Sequence, residues 1–115
     1  MSNQVVHFEV VGKDGKKLQQ FYGQVFGWNV NANNPMEYGL VEGSGRGIGG
    51  GIGASPDESG HVTFYVEVDD LDATLSKVEE MGGKTVMPPT EIPGMVTLAQ
   101  FHDPEGHLIG LLKTQ

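Results

Sequence analysis

The sequence contains the same pattern of strand, helix, glycine and strand twice, at a spacing of 56 residues from Gly27 to Gly83. In residues 5–11 and again in 62–68, apolar and polar side chains alternate, which is typical of a strand with one buried face. An apolar stripe with helical spacing follows each strand, and Asp69 or Asp70 can cap the second helix. A repeat of this size predicts two copies of one supersecondary unit.

Each copy is predicted to have the order βαβββ. In the first copy we expect strands at 4–11, from Trp28, at 36–42 and at 46–53, with a helix over 14–26. In the second copy we expect strands at 62–68, 84–86, 95–102 and 107–113, with a helix between Asp69 or Asp70 and Gly82–Gly83. Pro88 and Pro89 are expected to end the sixth strand, because proline cannot donate to a ladder. Residues 54–60, which are polar, are the expected linker.

Length and composition indicate one domain over 1–115, with a first module at about 1–55 and a second at about 60–115. The sequence lacks a run of 18 apolar residues and begins without a basic, apolar leader, so we expect a cytoplasmic protein. It also lacks cysteine, which excludes disulfides and thiolate zinc sites.

The net charge is −8, and it is unevenly distributed. Residues 1–55 carry four acids and four bases, whereas residues 56–115 carry eleven acids and three bases. This balance argues against nucleic-acid binding, which needs a basic surface. It suits a neutral or cationic ligand, although an acidic surface that only aids solubility is the simpler interpretation.

Several stretches together resemble the vicinal oxygen chelate superfamily, which includes glyoxalase I, extradiol dioxygenases and bleomycin-resistance proteins. They are VHFEV, FYGQVFGW, YVEVDD, MGGKTV, PPTEIPG and FHDPEGHLIGLL. The resemblance covers nearly the whole chain. It implies an α+β fold in which two βαβββ modules form a curved mixed sheet with a concave cup and the helices outside. It also implies a homodimer and a small-molecule ligand in the cup.

The resemblance further implies one divalent metal held by His, Glu or Gln side chains from four strands. The first-strand position lies twenty residues before the helix-ending glycine, which gives His7 before Gly27 and Thr63 before Gly83. The last-strand positions fall on Gly49 and Gly110. Because only His7 keeps a metal-binding side chain, we predict that the inherited metal site, and with it any cofactor, is absent.

The polar face of the two first strands supplies candidate ligand-binding residues. The candidates are His7, Glu9, Gly49, His61, Thr63, Tyr65, Glu67 and Gly110. The sequence therefore favours a protein that binds or sequesters a small molecule without metal. Two alternatives remain open: a metal-dependent lyase, isomerase or dioxygenase with a displaced site at His7, His61 and a carboxylate, or an interaction module whose cup is only a remnant. These polar residues could also be simply solvated.

Residues 43–53 contain seven glycines. Gly45, Gly47 and Gly50 imitate a dinucleotide fingerprint, but that motif must open a helix and here a strand is expected. Glycines in a strand can instead make room for a ligand or let two backbones approach closely, or they can simply leave a weak strand edge. The neighbouring aromatic residues Tyr22, Phe26 and Trp28 are predicted to belong to the core.

Overall fold

The computed structural model describes residues 2–57 and 59–115, and it divides into two compact units. The first unit comprises residues 6–62, and the second comprises residues 63–115 together with the start of the chain up to Val5. The chain start is tied to the second unit by a hydrogen bond from the Glu67 amide to the Gln4 carbonyl, 2.9 Å long. The boundary between the units therefore falls just after the predicted linker.

The first unit has the predicted order βαβββ. Its elements are β1 (Val5–Gly12), α1 (Gly15–Phe26), β2 (Val30–Asn31), β3 (Gly39–Val41) and β4 (Gly50–Ala54). The hydrogen-bonded strand order is β2-β3-β4-β1. β1 and β4 run parallel with Phe8 beside Gly50, whereas the other pairs are antiparallel.

The second unit repeats this arrangement. Its elements are β5 (His61–Val68), of which the first two residues belong to the first unit, α2 (Leu71–Glu80), β6 (Lys84–Ile92), β7 (Val96–His102) and β8 (Leu108–Lys113), with strand order β5-β8-β7-β6. β5 and β8 run parallel with Tyr65 beside Gly110, and the remaining pairs are antiparallel. The predicted fold class, α+β with two βαβββ modules, is confirmed.

Both helices begin and end where the sequence indicates. Asp14 and Asp70 cap α1 and α2, because their carboxylates accept hydrogen bonds from the Lys17 and Ala73 amides at 3.1 and 3.0 Å. Gly27 and Gly82 follow the helices with φ of 70° and 100°, a left-handed conformation that favours glycine.

The two helices bury very different surfaces. Leu71 and Leu75 of α2 are buried in a core cluster that also contains Val68, Ala99 and Leu111. In α1, by contrast, Gly15 is the buried residue, and Phe21 and Phe26 remain more than half exposed. The prediction that Phe26 belongs to the core is therefore wrong, whereas Tyr22 and Trp28 are partly buried and stack on each other. The ring centroids of Tyr22 and Trp28, for example, are 5.9 Å apart.

The alternation in β5 predicts the buried face only in part. Val66 and Val68 pack in the core cluster, but Val62 is 74% exposed and Phe64 is also exposed. Thr63 and Tyr65, on the polar face, are buried instead. Their burial is possible because the Thr63 hydroxyl donates to the Leu108 carbonyl and the Tyr65 hydroxyl accepts from Gln100 at 2.9 Å.

Strand lengths differ from the predictions at three places. The third strand is shorter, since Glu37 just before it has φ of 52°, and the fourth begins only after a turn that contains Gly45 at φ 56°. β6 continues through Pro88 and Pro89 to Ile92, so the prediction that it stops there is wrong. It is the outer strand of its unit, and its register with β7 is broken around these prolines, where no ladder donor is required.

Within the predicted linker, Glu58 lies outside the described residues. Beside it, the Asp57 carboxylate accepts hydrogen bonds from the hydroxyls of Ser55 and Ser59 at 2.6 and 2.5 Å. These bonds, together with one from the Ser59 amide, stabilise the charged form and lower the pKa of Asp57 to about 2.

Candidate functional site

The candidate site of the first unit is centred on the hydroxyl of Tyr38. β1 places His7 and Glu9 on one face, because residues two apart in a strand point the same way. The Tyr38 hydroxyl oxygen lies 2.9 Å from His7 Nε2 and 3.0 Å from Glu9 Oε2. One phenol therefore bridges an imidazole and a carboxylate.

His61, at the start of β5, completes the arrangement. Its Nε2 atom lies 3.0 Å from Glu9 Oε1, so both oxygens of this carboxylate accept hydrogen bonds. The side chains of His61 and Glu9 are 26% and 13% exposed. We refer to His7, Tyr38, Glu9 and His61 together as the polar network.

The direction of each hydrogen bond follows from the donors available. An ionised carboxylate can only accept, so Tyr38 donates its single proton to Glu9, and His61 donates through Nε2–H. Because the Tyr38 hydroxyl donates its hydrogen to Glu9, its oxygen accepts a hydrogen bond from His7, and His7 therefore carries a hydrogen on Nε2. In the neutral His7 ring, Nδ1 is then the basic nitrogen.

Burial sets the charge of His7. Desolvation lowers the pKa of His7 below its usual value, and the negative charge of Glu9 opposes this shift without cancelling it. The neutral imidazole is therefore the dominant form at pH 7. The polar network thus contains one neutral imidazole, one phenol, one carboxylate and a second imidazole at its more exposed end.

The turn before β3 holds Tyr38 in place. The side-chain amide of Asn34 accepts from the Tyr38 amide at 3.0 Å and donates to the Tyr38 carbonyl at 2.8 Å. Glu37 has φ of 52°, which is unfavourable for a residue with a side chain, and its carbonyl accepts from Gln19 at 3.1 Å. These bonds fix the backbone on both sides of the phenol.

The glycines of β4 make room for two aromatic rings. A Cβ atom at Gly51 would lie 1.9 Å from the Tyr38 ring, and one at Gly50 would lie 2.3 Å from the Phe8 ring. At Gly49 the constraint is the backbone, since a Cβ would lie 2.7 Å from the Val41 carbonyl oxygen. In the first unit the glycine run therefore serves close packing of the chain's own groups.

The structure brings together three of the predicted site residues, His7, Glu9 and His61, in the polar network. Gly49 lies against the backbone near β3. The other four candidates belong to the second unit: Thr63 and Tyr65 are buried, Gly110 lies under the Tyr65 ring, and Glu67 is half-buried. Their role in ligand binding stays a prediction.

Sequence reasoning missed Tyr38, which links the polar network. The signal that could have found it lies in β4, where Gly51 and Gly53 share one face of a strand and leave a space that a large side chain must fill. Tyr38 precedes β3, the antiparallel neighbour of β4, and is close enough to fill that space.

The donor set does not fit the metal site that the family resemblance implies. Within residues 2–57 and 59–115, no group of three or more His, Asp or Glu side chains is arranged to hold a metal ion. The Nε2 atom of His7 carries a proton, and both oxygens of Glu9 accept hydrogen bonds from side chains.

The helices within residues 2–57 and 59–115 are too short or too polar to cross a membrane.

Known proteins with similar sequences carry glyoxalase-type names. A Mycobacterium bovis protein with a provisional glyoxylase name is 27% identical over 107 residues, which cover 85% of this chain. This chain spans only 41% of the length of that protein. A glyoxylase-like domain-containing protein of Didymella fabae is 28% identical over 118 residues, which cover 93% of this chain and 91% of that protein.

Similarity in fold extends to solved structures. Methylmalonyl-CoA epimerase from Mycobacterium tuberculosis superimposes with a TM-score of 0.70 at 18% identity, over 96% of this chain and 87% of the epimerase. At this identity the likeness concerns the fold alone. The family model described as the Glyoxalase/Bleomycin resistance protein/Dioxygenase superfamily matches residues 4–111, and the chain therefore belongs to that superfamily.

Proposed function

We propose that this chain binds a small polar molecule at the polar network and does so without a metal ion. The observation that carries the proposal is the Tyr38 hydroxyl, which lies within 3.0 Å of both His7 and Glu9. A side chain of the protein satisfies these two groups, so they do not need a cation to be stable when partly buried. The side chains of the network can also form hydrogen bonds to a bound small molecule.

The charge of the network decides which guests it favours. Burial lowers the pKa of His7, so a positive charge on this imidazole is disfavoured at pH 7, and Glu9 beside it contributes a carboxylate. The chain as a whole carries −8. A neutral or cationic guest that donates hydrogen bonds is therefore favoured over an anion.

A metal-dependent lyase, isomerase or dioxygenase is the second candidate function. The observation in its favour is that Glu9 lies within hydrogen-bond distance of His61 and shares the Tyr38 hydroxyl with His7. Metal binding at His7, His61 and Glu9 would require Tyr38 to move away and His7 to present a lone pair at Nε2. This cost favours the metal-free function.

Two further expectations belong to the same proposal. We expect a homodimer, which the family resemblance implies, and a cytoplasmic location, which the absence of cysteine fits. The expected guest is small, since the network consists of four side chains on β1, at the start of β5 and in the turn before β3.

A thermal-shift screen in the presence of EDTA tests the proposal. The probes are small amines, polyols and carboxylic acids. We expect amines or polyols to raise the melting temperature and carboxylic acids to leave it unchanged.

Matched variants assign the effect to the polar network. Glu9→Gln should abolish the stabilisation, whereas Glu42→Gln, which alters an exposed acid outside the network, should retain it. If, in a parallel screen without EDTA, stabilisation instead appears only with Ni²⁺, Zn²⁺, Mn²⁺ or Fe²⁺ and disappears in His7→Ala, the metal-dependent function is correct and the metal-free proposal is wrong.

A further inference from the structure

We infer that Tyr38 is a positioning residue that replaces a metal ion at the centre of the site: its hydroxyl organises His7 and Glu9, and its ring excludes a third metal ligand from β4. The inference rests on the proposed metal-free function and adds the device that enforces it. Tyr38 is absent from the residues that the family resemblance implies, and its role follows from four features of the first unit.

The first feature is position. The Tyr38 oxygen lies 2.9 Å from His7 Nε2 and 3.0 Å from Glu9 Oε2, so it occupies the point toward which both side chains are directed. A divalent ion at that point needs bonds of about 2.1 Å to nitrogen and oxygen ligands. The distances around this point therefore suit a hydroxyl oxygen and are too long for metal bonds. A cation could bind there only if the Tyr38 side chain moved away.

The second feature is the direction of the hydrogen bonds. A metal at the position of the Tyr38 hydroxyl requires the lone pair of His7 Nε2, but the phenol donates its only proton to Glu9 and can only accept from His7. Tyr38 therefore holds a hydrogen on the nitrogen that a metal would use. This selection of one tautomer opposes metal binding independently of the space that the ring fills.

The third feature is the ring. Gly51 is the register partner of Glu9 in the parallel pair of β1 and β4, so a side chain at position 51 would lie beside Glu9 on the same face. A Cβ there would lie 1.9 Å from the Tyr38 ring, and one at Gly53 would lie 3.0 Å from it. The ring thus fills the space beside Glu9 that a ligand side chain at position 51 would need.

The fourth feature is how firmly the phenol is held. Asn34 makes hydrogen bonds to both the amide and the carbonyl of Tyr38, and Glu37 keeps a left-handed φ of 52° next to it. A conformation that is unfavourable for glutamate persists only where the surroundings fix it. The turn therefore fixes the Tyr38 side chain in its position between His7 and Glu9.

Nitrogen NMR on isotope-labelled protein tests the selection of the tautomer. In the wild type, His7 should carry its hydrogen on Nε2; in Tyr38→Phe, which keeps the ring and removes the hydroxyl, the shifts should move toward a mixture of both tautomers. Tyr22→Phe is the matched control, since Tyr22 lies among the surface aromatics of α1 and should leave His7 unchanged. An unchanged His7 spectrum in Tyr38→Phe would overturn the inference.

Zinc titration against a chromophoric chelator tests the exclusion of metal. Tyr38→Ala frees His7, Glu9 and the space above Gly51, so its affinity for Zn²⁺ should exceed that of the wild type by about tenfold or more, the size of effect that partners of metal ligands commonly have. Tyr22→Ala should match the wild type. Circular dichroism confirms folding, and if Tyr38→Ala does not fold, the NMR test of Tyr38→Phe decides.

The outcomes separate this inference from the proposed function. Weak zinc binding in both the wild type and Tyr38→Ala would overturn the role of Tyr38 and leave the metal-free function standing. Tight zinc binding by the wild type that is lost in His7→Ala would overturn both.

Discussion

The two units of this chain have the same order of strands and helix but differ in which residues they bury. The second unit packs α2 into an apolar core through Leu71 and Leu75. In the first unit, α1 leaves Phe21, Val25 and Phe26 exposed, and the polar network lies on β1, on the turn before β3 and at the start of β5. The comparison teaches that one repeat of a duplicated fold can concentrate apolar burial while the other concentrates hydrogen-bonded polar side chains.

One feature is common to both units and sharpens the contrast. In each, an aromatic residue of the first strand lies over a glycine of its parallel neighbour: Phe8 over Gly50 and Tyr65 over Gly110, with a hypothetical Cβ 2.3 Å from the ring in both cases. The packing is the same, but the first unit adds the Tyr38 ring over Gly51, and this ring brings a hydroxyl to His7 and Glu9.

The largest expected effect of a single substitution lies in the core of the second unit. Leu75 is 6% exposed, so Leu75→Ala removes buried methyl groups and leaves a cavity, which should lower the free energy of unfolding by about 2–5 kcal/mol. Urea unfolding followed by circular dichroism measures it. A loss below about 1 kcal/mol would show that this core contributes less than its burial indicates.

The glycine that accommodates Tyr38 should come next. Gly51→Ala places a Cβ inside the Tyr38 ring position and should destabilise the chain by about 1–3 kcal/mol through overpacking. Because the clash involves the Tyr38 ring, Gly51→Ala should cost less stability in a Tyr38→Ala background than in the wild type. Gly47→Ala, whose Cβ would lie 3.3 Å from the Ser44 carbonyl oxygen, is the control with a small effect. Additive losses in the double variant would contradict the packing described for Tyr38.

A smaller effect is expected from pH. Burial lowers the pKa of His7, so the unfolded chain binds a proton at this residue more readily than the folded chain does. Stability from His7 is therefore fully present above the unfolded pKa of about 6.5 and is lost as the pH falls toward the folded value. Melting temperatures of the wild type should decline over this window more steeply than those of His7→Gln. Parallel pH profiles would show that His7 is not desolvated.

The smallest effect should come from the exposed face of α1. Phe21 is 57% exposed, and alanine favours a helix, so Phe21→Ala should change the free energy of unfolding by no more than about 0.5 kcal/mol. The same urea experiment measures it beside Leu75→Ala. If Phe21→Ala were as damaging as Leu75→Ala, the two helices would not differ in the way the structure indicates.

Local signals were enough to predict the fold. Asp14, Asp70, Gly27 and Gly82 mark the helix ends by caps and left-handed glycines, and these depend only on neighbouring residues. The alternation of β1 likewise predicted that His7 and Glu9 share a face. Repetition of these signals identified two βαβββ modules.

Features that depend on distant partners were not predictable in the same way. Tyr38 meets His7 and Glu9 across 31 and 29 residues, through a turn whose shape depends on Glu37 at positive φ. The burial of Tyr65 depends on a hydrogen bond from Gln100, and the tolerance of Pro88 depends on β6 being an outer strand with broken register. Neither the alternation of polar and apolar residues nor the composition predicts such contacts.

The central claim is that the polar network works without a metal ion, and metal analysis of the wild-type protein tests it most directly. Elemental analysis after purification without chelator, followed by calorimetric titration with Ni²⁺, Zn²⁺, Mn²⁺ and Fe²⁺, should find less than one equivalent of any metal and no binding that His7→Ala removes. One equivalent of a divalent metal that disappears in His7→Ala would contradict it.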